Sequence, residues 1–356
     1  MIKSHYVPQF ILRNFYSNDK ITYCDLDKKT VEHRNTRSVF SEEGYYPEGI
    51  EKDLCKKAEY LFANLYHNKF EEARNSIILT REELFTVKKF LIVCAIRYKA
   101  ELTEFDKKQL EILGPEFKMD YDRSLNEILA CETADDLFNE IFKMQNHIAK
   151  LMGKEFSEEE DSSNIPLWAE LIDITHSYLI FVKTKEEKFL IPDVGRAIAE
   201  GPLSIKKVDA VLQTAMTTFN PQALQLLQMI SPRDYSFYPL SKNFGILSMN
   251  SFFKVLTDSE YHFNIIMPED CPTVSAALGF GDGNTITPPK VRGNGNNKEY
   301  IYDIKQLNTK DVCHLNSLML IEAKRYVACG ELSEIQNSID YMSGDPIRDY
   351  SFMKGV

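Results

Sequence analysis

The sequence predicts an α+β protein: a helical middle region, a C-terminal mixed and largely antiparallel sheet region, and an N-terminal motif docking onto it. Three observations lead there. Apolar residues recur at helical spacing through Ile50, Leu54, Ala58, Leu61, Phe62 and Leu65, and again through Leu84, Val87, Leu91, Ala95 and Tyr98. Beyond the wholly polar stretch Ser157–Asn164 the pattern shortens to strand-like runs. The opening segment lacks a core of its own and must pack on another region. These breaks divide the chain into 1–48, an N-terminal motif and hairpin, 49–156, a helical region with an acidic surface, and 165–356, an α+β region.

In chain order, Pro8 pushes Val7 towards an extended conformation and suits the first position of a short helix running to Phe15. A hairpin follows, with Ile21–Asp25 and Thr30–Arg34 flanking a polar turn. One amphipathic helix spans Gly49–Phe70, and its partner starts at the capping box Thr80-Arg81-Glu82-Glu83. Residues 104–153 read as helical, with a break near Gly114-Pro115. Strands are expected at Tyr178–Lys183, Lys188–Ile191, Tyr235–Leu240, Phe244–Met249, His262–Met267 and Glu299–Ile304, with a helix at Val208–Met229. A glycine- and asparagine-rich loop covers Gly279–Asn297, and its stretch Asp282–Lys298 is expected to be mobile without ligand. A last helix opens at Asn308 and runs to about Cys329, with Gly330 as its stop.

Composition narrows the class. With 356 residues and 44% hydrophobic content, the chain can bury two cores or one large one, which excludes wholesale disorder. Its longest apolar run, Phe90–Ile96, falls far short of the about 18 residues a membrane span needs, so no membrane partner is expected. The N-terminus has no apolar signal region, and the seven scattered cysteines form no C-x-x-C pair, so reduced thiols and a cytoplasmic location are expected. The net charge of −11 is uneven: residues 101–161 hold 17 acids and 7 bases, whereas residues 1–100 hold 14 acids and 17 bases. Bulk nucleic-acid binding is disfavoured, but a local site in the first hundred residues is allowed.

The opening His5-Tyr6-Val7-Pro8-Gln9-Phe10-Ile11-Leu12-Arg13-Asn14-Phe15 resembles the signature of the bacterial domain of unknown function 4238 family. Tyr45-Tyr46, Ile50-Glu51, Ala95-Ile96-Arg97, Tyr238-Pro239-Leu240-Ser241 and the helix holding Asn316 and Arg325 look like further family positions, in the same order. Where the family has a Thr-Ser-Asp-Asn-Pro-like turn, this chain reads Leu190-Ile191-Pro192-Asp193-Val194-Gly195 and keeps Asp193 alone. The resemblance implies an intracellular prokaryotic or phage protein and brings no defined activity or cofactor.

Candidate catalytic residues are His5, Asp193, Ser241 and Asn316, with Gln9, Arg13 and Arg325 as candidate substrate-binding residues. A histidine just ahead of a helix can exchange protons near neutral pH; its bland reading is an anchor tying the N-terminus to the core. Arg13 can clamp a phosphate or simply stand on a helix surface. Asn316 shares an apolar stripe with Val312, Met319 and Ala323, so its amide needs a partner, either a substrate or a backbone carbonyl. Ser241 lies in a tight connection without a Gly-x-Ser-x-Gly elbow, which favours turn capping over nucleophilic attack. Asp303 with Glu322-Ala323-Lys324 imitates a metal-nuclease pattern, but a mid-helix triplet points its two side chains about 200° apart. The histidines show no H-x-x-x-H spacing, so no metal ligands are assigned.

The leading functional expectation is a hydrolase or nuclease-like effector acting on nucleic acid or nucleotides in phage–host conflict. The alternative is a non-catalytic sensor or interaction module that docks through its acidic helical surface. A homodimer through the helical surfaces is expected in either case.

Overall fold

The computed structural model describes residues 3–97, 121–140, 174–175, 177–200, 233–249, 289–343, 345 and 348–354. The expected helix Val208–Met229 and strand His262–Met267, and most of the acidic stretch, lie outside them.

The chain is α+β. Strand β1 (Lys3–His5) precedes the short helix α1 (Gln9–Arg13), and the predicted hairpin forms as β2 (Ile21–Asp25) and β3 (Thr30–Arg34), antiparallel from Ile21↔Arg34 to Asp25↔Thr30. Strand β4 (Ser41–Glu43) turns back onto β1, placing His5 opposite Ser41. Phe40, just before β4, is buried with φ +46° and accepts the Tyr6 N–H on its carbonyl. A bulky residue in the left-handed region stores strain, and here the packed N-terminal motif holds it there.

Residues 48–70 form the expected long helix with two interruptions of period. Helix α2 (Glu48–Leu54) passes through a π turn at Cys55–Glu59 into α3 (Tyr60–Leu65) and a second π turn at Tyr66–Phe70. The capping box of the partner helix α4 (Arg81–Arg97) is made: Glu83 N–H donates to Thr80 Oγ1 at 3.2 Å, and Thr80 N–H to Glu83 Oε2 at 2.8 Å. Its Phe90 stacks on Phe62 with centroids 3.9 Å apart, which locks the two helices together. Helix α5 (Tyr121–Ala130) packs beside α4, and Lys89, buried in α4, donates to the Leu129 and Cys131 carbonyls at its end.

The larger sheet joins both halves of the chain. Strand β5 (Ser76–Thr80), absent from the sequence reading, pairs antiparallel with β12 (Glu299–Gln306). Strand β12 continues parallel to β6 (Leu179–Lys183), which leads across β10 (Phe244–Met249) and β9 (Arg233–Ser241) to β8 (Ala197–Glu200). At the other edge, part of the glycine-rich stretch forms β11 (Lys290–Arg292) on β12, and the rest of the expected loop before residue 289 is outside the described residues.

Two expectations differ from the structure. The strand placed at Lys188–Ile191 is instead the short β7 (Ile191–Pro192). The helix expected to close the chain, α6, spans Thr309–Glu322 and starts at the expected Asn308 cap, but ends seven residues early; the chain then forms β13 (Tyr326–Cys329) between β2 and β7. The cause is Asp193, whose carboxylate accepts the backbone N–H groups of Lys324, Arg325 and Tyr326 at 2.9, 2.9 and 3.0 Å. Those N–H groups are thereby withdrawn from helical bonding, and pairing with β2 fixes the strand. The Glu322-Ala323-Lys324 triplet consequently sits at the helix end rather than mid-helix. Helix α7 (Gln336–Tyr341) follows.

The N-terminal motif docks onto the C-terminal region. Strand β2 pairs with β13, the Asn14 amide donates to the Leu240 carbonyl at 3.0 Å, and Val7 packs against Gly195. The buried core includes Leu12, Phe15, Phe62, Phe90, Phe181 and Phe237, drawn from the N-terminal motif, the helices and the larger sheet.

Candidate functional site

The site grows from the end of β1. Pairing with β4 carries His5 inward until the residue is 6% exposed, and Pro8, with φ −55° and ψ 131°, starts α1 immediately afterwards. Gln9, four residues on, folds back over the imidazole, its Nε2 lying 3.1 Å from His5 Nε2 and 3.3 Å from Nδ1. Gln9 Oε1 in turn accepts from Arg13 Nη2 at 3.3 Å, so one face of α1 carries a chain from the exposed Arg13 to the buried His5. Burial and the nearby Arg97 cation lower the His5 pKa from 6.5, opposed by a hydrogen bond to the Arg37 carbonyl. The imidazole is therefore neutral at neutral pH and able to take a proton.

Helix α4 delivers Arg97 to the same place. Its side chain is 1% exposed and ion-paired with Glu59, while Glu51 Oε1 stands 3.7 Å from Nη2. The Tyr46 hydroxyl donates to the Arg97 carbonyl and fixes the helix end. Glu51 and Glu59 both reach the guanidinium because of the π turn between them. Eight α-helical residues would separate them by about 80° around the axis; a π turn absorbs one residue and leaves about 20°. The sequence singled out the Ile50-Glu51 and Ala95-Ile96-Arg97 segments only as family positions, and the partnership of Glu59 depends on a period change that no residue type announces.

This cluster is not closed on itself. Among the described residues, Arg97 Nε and Glu51 Oε2 are buried without a hydrogen-bond partner. Burial raises the Glu51 pKa from 4.5 despite the Arg97 charge and the Ser4 hydroxyl and His5 N–H that face it. A neutral imidazole, a carboxyl biased towards its protonated form and a guanidinium with an unused donor thus share one site. With Glu51 protonated, Arg97 and Glu59 cancel, and the site can accept an anion without opposing it.

The remaining candidate residues are held elsewhere. Asp193 bonds the turn ahead of β13, and the Arg325 side chain forks onto Asp25 at 2.8 and 3.2 Å. Asn316 is fully buried; it donates to the Lys188 carbonyl at 2.8 Å and Ser338 Oγ at 2.7 Å and accepts the Leu190 N–H at 3.2 Å. Ser241 accepts the Asn243 N–H at 3.2 Å in the β9–β10 turn and bonds to the Tyr66 hydroxyl. His5, Gln9 and Arg13 are brought together; the hydrogen bonds of Asp193, Ser241, Asn316 and Arg325 go to other groups.

Among the described residues no group of three or more His, Cys, Asp or Glu side chains is arranged to hold a metal ion, and no helix is long and apolar enough to cross a membrane. No curated protein and no solved structure matches the chain. A family model described as Protein of unknown function (DUF4238) matches residues 3–331, nearly the whole length and including every residue of the His5–Arg97 cluster, and the chain belongs to that family.

Proposed function

We propose that the protein is a hydrolase of nuclease-like type, acting on phosphate esters of nucleic acid or nucleotides at the His5–Glu51–Arg97 cluster. The observation that carries this reading is the pair of buried, unpartnered atoms Arg97 Nε and Glu51 Oε2 beside a histidine held neutral. A purely structural cluster gains nothing by leaving both atoms unsatisfied, whereas a phosphate oxygen can accept from the Arg97 Nε–H and from the protonated Glu51 carboxyl.

The roles follow from the charges. His5 accepts the proton of an attacking water, whose oxygen forms the new bond to phosphorus; the bond to the leaving oxygen breaks, and Glu51 supplies the proton that oxygen takes up. Arg97, held by Glu59, faces the negative charge that develops, and Gln9 orients the imidazole. A setting in phage–host conflict and a homodimer through the helical surfaces belong to the same proposal. The docking-module alternative requires none of these unpartnered groups.

The experiment is a panel of single-stranded and double-stranded DNA and RNA, nucleotides and cyclic nucleotides incubated with the full chain and with Glu51→Ala. Turnover of at least one phosphate ester by the parent and its loss in Glu51→Ala supports the reading. Equal turnover by both removes it.

A further inference from the structure

A second feature lies where α1 ends. The segment after the second π turn, the β6 end and the β9–β10 turn enclose an open groove of about 590 Å³. Its walls carry Arg74, Lys183, Lys185 and Lys242 against a single acid, Glu71, in a chain whose net charge is −11. Glu71 is already engaged by His67 at 2.8 Å, and Lys242 is neutralised by Glu334 at 2.9 Å. Arg74 and Lys185 are exposed and form no ion pair among the described residues.

Lys183 is the telling group. It is half-buried at the end of β6, donates to the Ala73 carbonyl and lies 5.6 Å over the Phe244 ring. Among the described residues no carboxylate forms an ion pair with it, and burial lowers its pKa. An ammonium withdrawn from water without a counter-charge is unfavourable unless an anion completes it. The groove floor offers neutral donors and acceptors to the same ligand, since Ser241 and Asn243 line it.

We infer that this groove is a phosphate-binding site that holds the phosphate esters of a nucleotide or of a nucleic-acid strand through Lys183, Lys185 and Arg74. It names how the polyanion of the proposed reaction is held, and for that meaning it rests on the hydrolase reading. Two elements tie groove to site. Asn14, in the groove wall, caps α1 at the end opposite Gln9, five residues or about 7.5 Å along the helix. Tyr66, also in the wall, lies seven residues beyond Glu59 on the same long helix, about 10 Å away. A strand seated in the groove leads along α1 towards His5.

The test is equilibrium binding by the full chain, read as fluorescence anisotropy of short labelled single-stranded DNA and RNA, with ATP and tripolyphosphate as competitors. The variants are Lys183→Met and the double charge reversal Arg74→Glu with Lys185→Glu, whose side chains are exposed and leave folding intact. Binding by the parent, weakened about tenfold by each variant, is expected, and the slope of log K against log salt should fall by about 1.4 in the double variant. Competition by ATP as strong as by an unlabelled strand identifies a nucleotide site; competition by the strand alone identifies a strand site. No binding of any of these anions by the parent, or variants that bind as the parent does, overturns the inference. Because binding needs no turnover, that failure is distinct from failure of the hydrolytic reading, which would appear as undiminished hydrolysis in Glu51→Ala.

Discussion

Arg97 is ion-paired with Glu59 across two helices and 38 residues of sequence, and the Arg97 charge adds to burial in lowering the pKa of His5. The guanidinium is almost wholly buried, so its cost in lost hydration is recovered only while the carboxylates stay in place.

Removing one partner should therefore be expensive. Arg97→Met leaves Glu59 and Glu51 facing each other without a cation, and chemical denaturation should show a loss of about 3–5 kcal/mol. A loss under about 1 kcal/mol would mean that the pair is solvated and that the cluster has no electrostatic frame.

Stability should fall on the acid side in a defined window. His5 and His314 both have pKa values lowered from 6.5, chiefly by burial, so below 6.5 the unfolded chain takes up protons that the folded chain does not. Unfolding free energy should decline as pH drops from 6.5 through the folded pKa values, and His5→Gln should flatten part of that decline. Glu51 acts in the opposite sense: its raised pKa adds stability below 4.5 that is lost as pH rises through the folded value. Denaturation curves over this range check both signs.

The same two shifts define the activity profile. The proposed hydrolysis requires His5 deprotonated and Glu51 protonated, so the rate should rise as pH passes the lowered histidine value and fall above the raised carboxyl value. Replacing Glu51 by Gln should lower the rate and remove the alkaline limb. A profile still rising through pH 8 would deny Glu51 the role of acid.

Asn316 should behave as a structural residue. Its amide makes three hydrogen bonds in the core, so Asn316→Ala should cost about 2–3 kcal/mol by leaving the Leu190 N–H and its neighbours unpaired. Activity per folded molecule should be unchanged.

The exposed helical surface bears on assembly. Tyr60 and Leu61 on α3 are 63% and 48% exposed, and the proposed homodimer would cover them. Light scattering should return twice the chain mass, and Leu61→Glu should return one.

Much of this was readable from sequence where local chemistry decides. The hairpin at 21–34, the capping boxes at Thr80 and Asn308, and the buried stripe through Asn316 follow from turn residues, caps and periodicity. Strand β13 was not, because Met319–Cys329 continues an apolar helical pattern and only Asp193, 131 residues upstream of Lys324, pulls the chain out of it. At the site, His5, Gln9 and Arg13 were legible through the opening motif. Glu59 was not, since it faces Arg97 only after a π turn shifts the helical phase.

His5→Gln separates the proposed proton transfer by His5 from a role in anchoring the N-terminus. The glutamine keeps a hydrogen-bonding group where the imidazole meets Gln9 and Arg37. Tm and phosphate-ester hydrolysis should be measured together on the parent and the variant. A Tm within a few degrees of the parent and hydrolysis reduced by at least about a hundredfold, the contribution typical of a general base, are expected. A variant that hydrolyses as fast as the parent, or whose activity falls only in proportion to the unfolded fraction, would contradict proton transfer by His5.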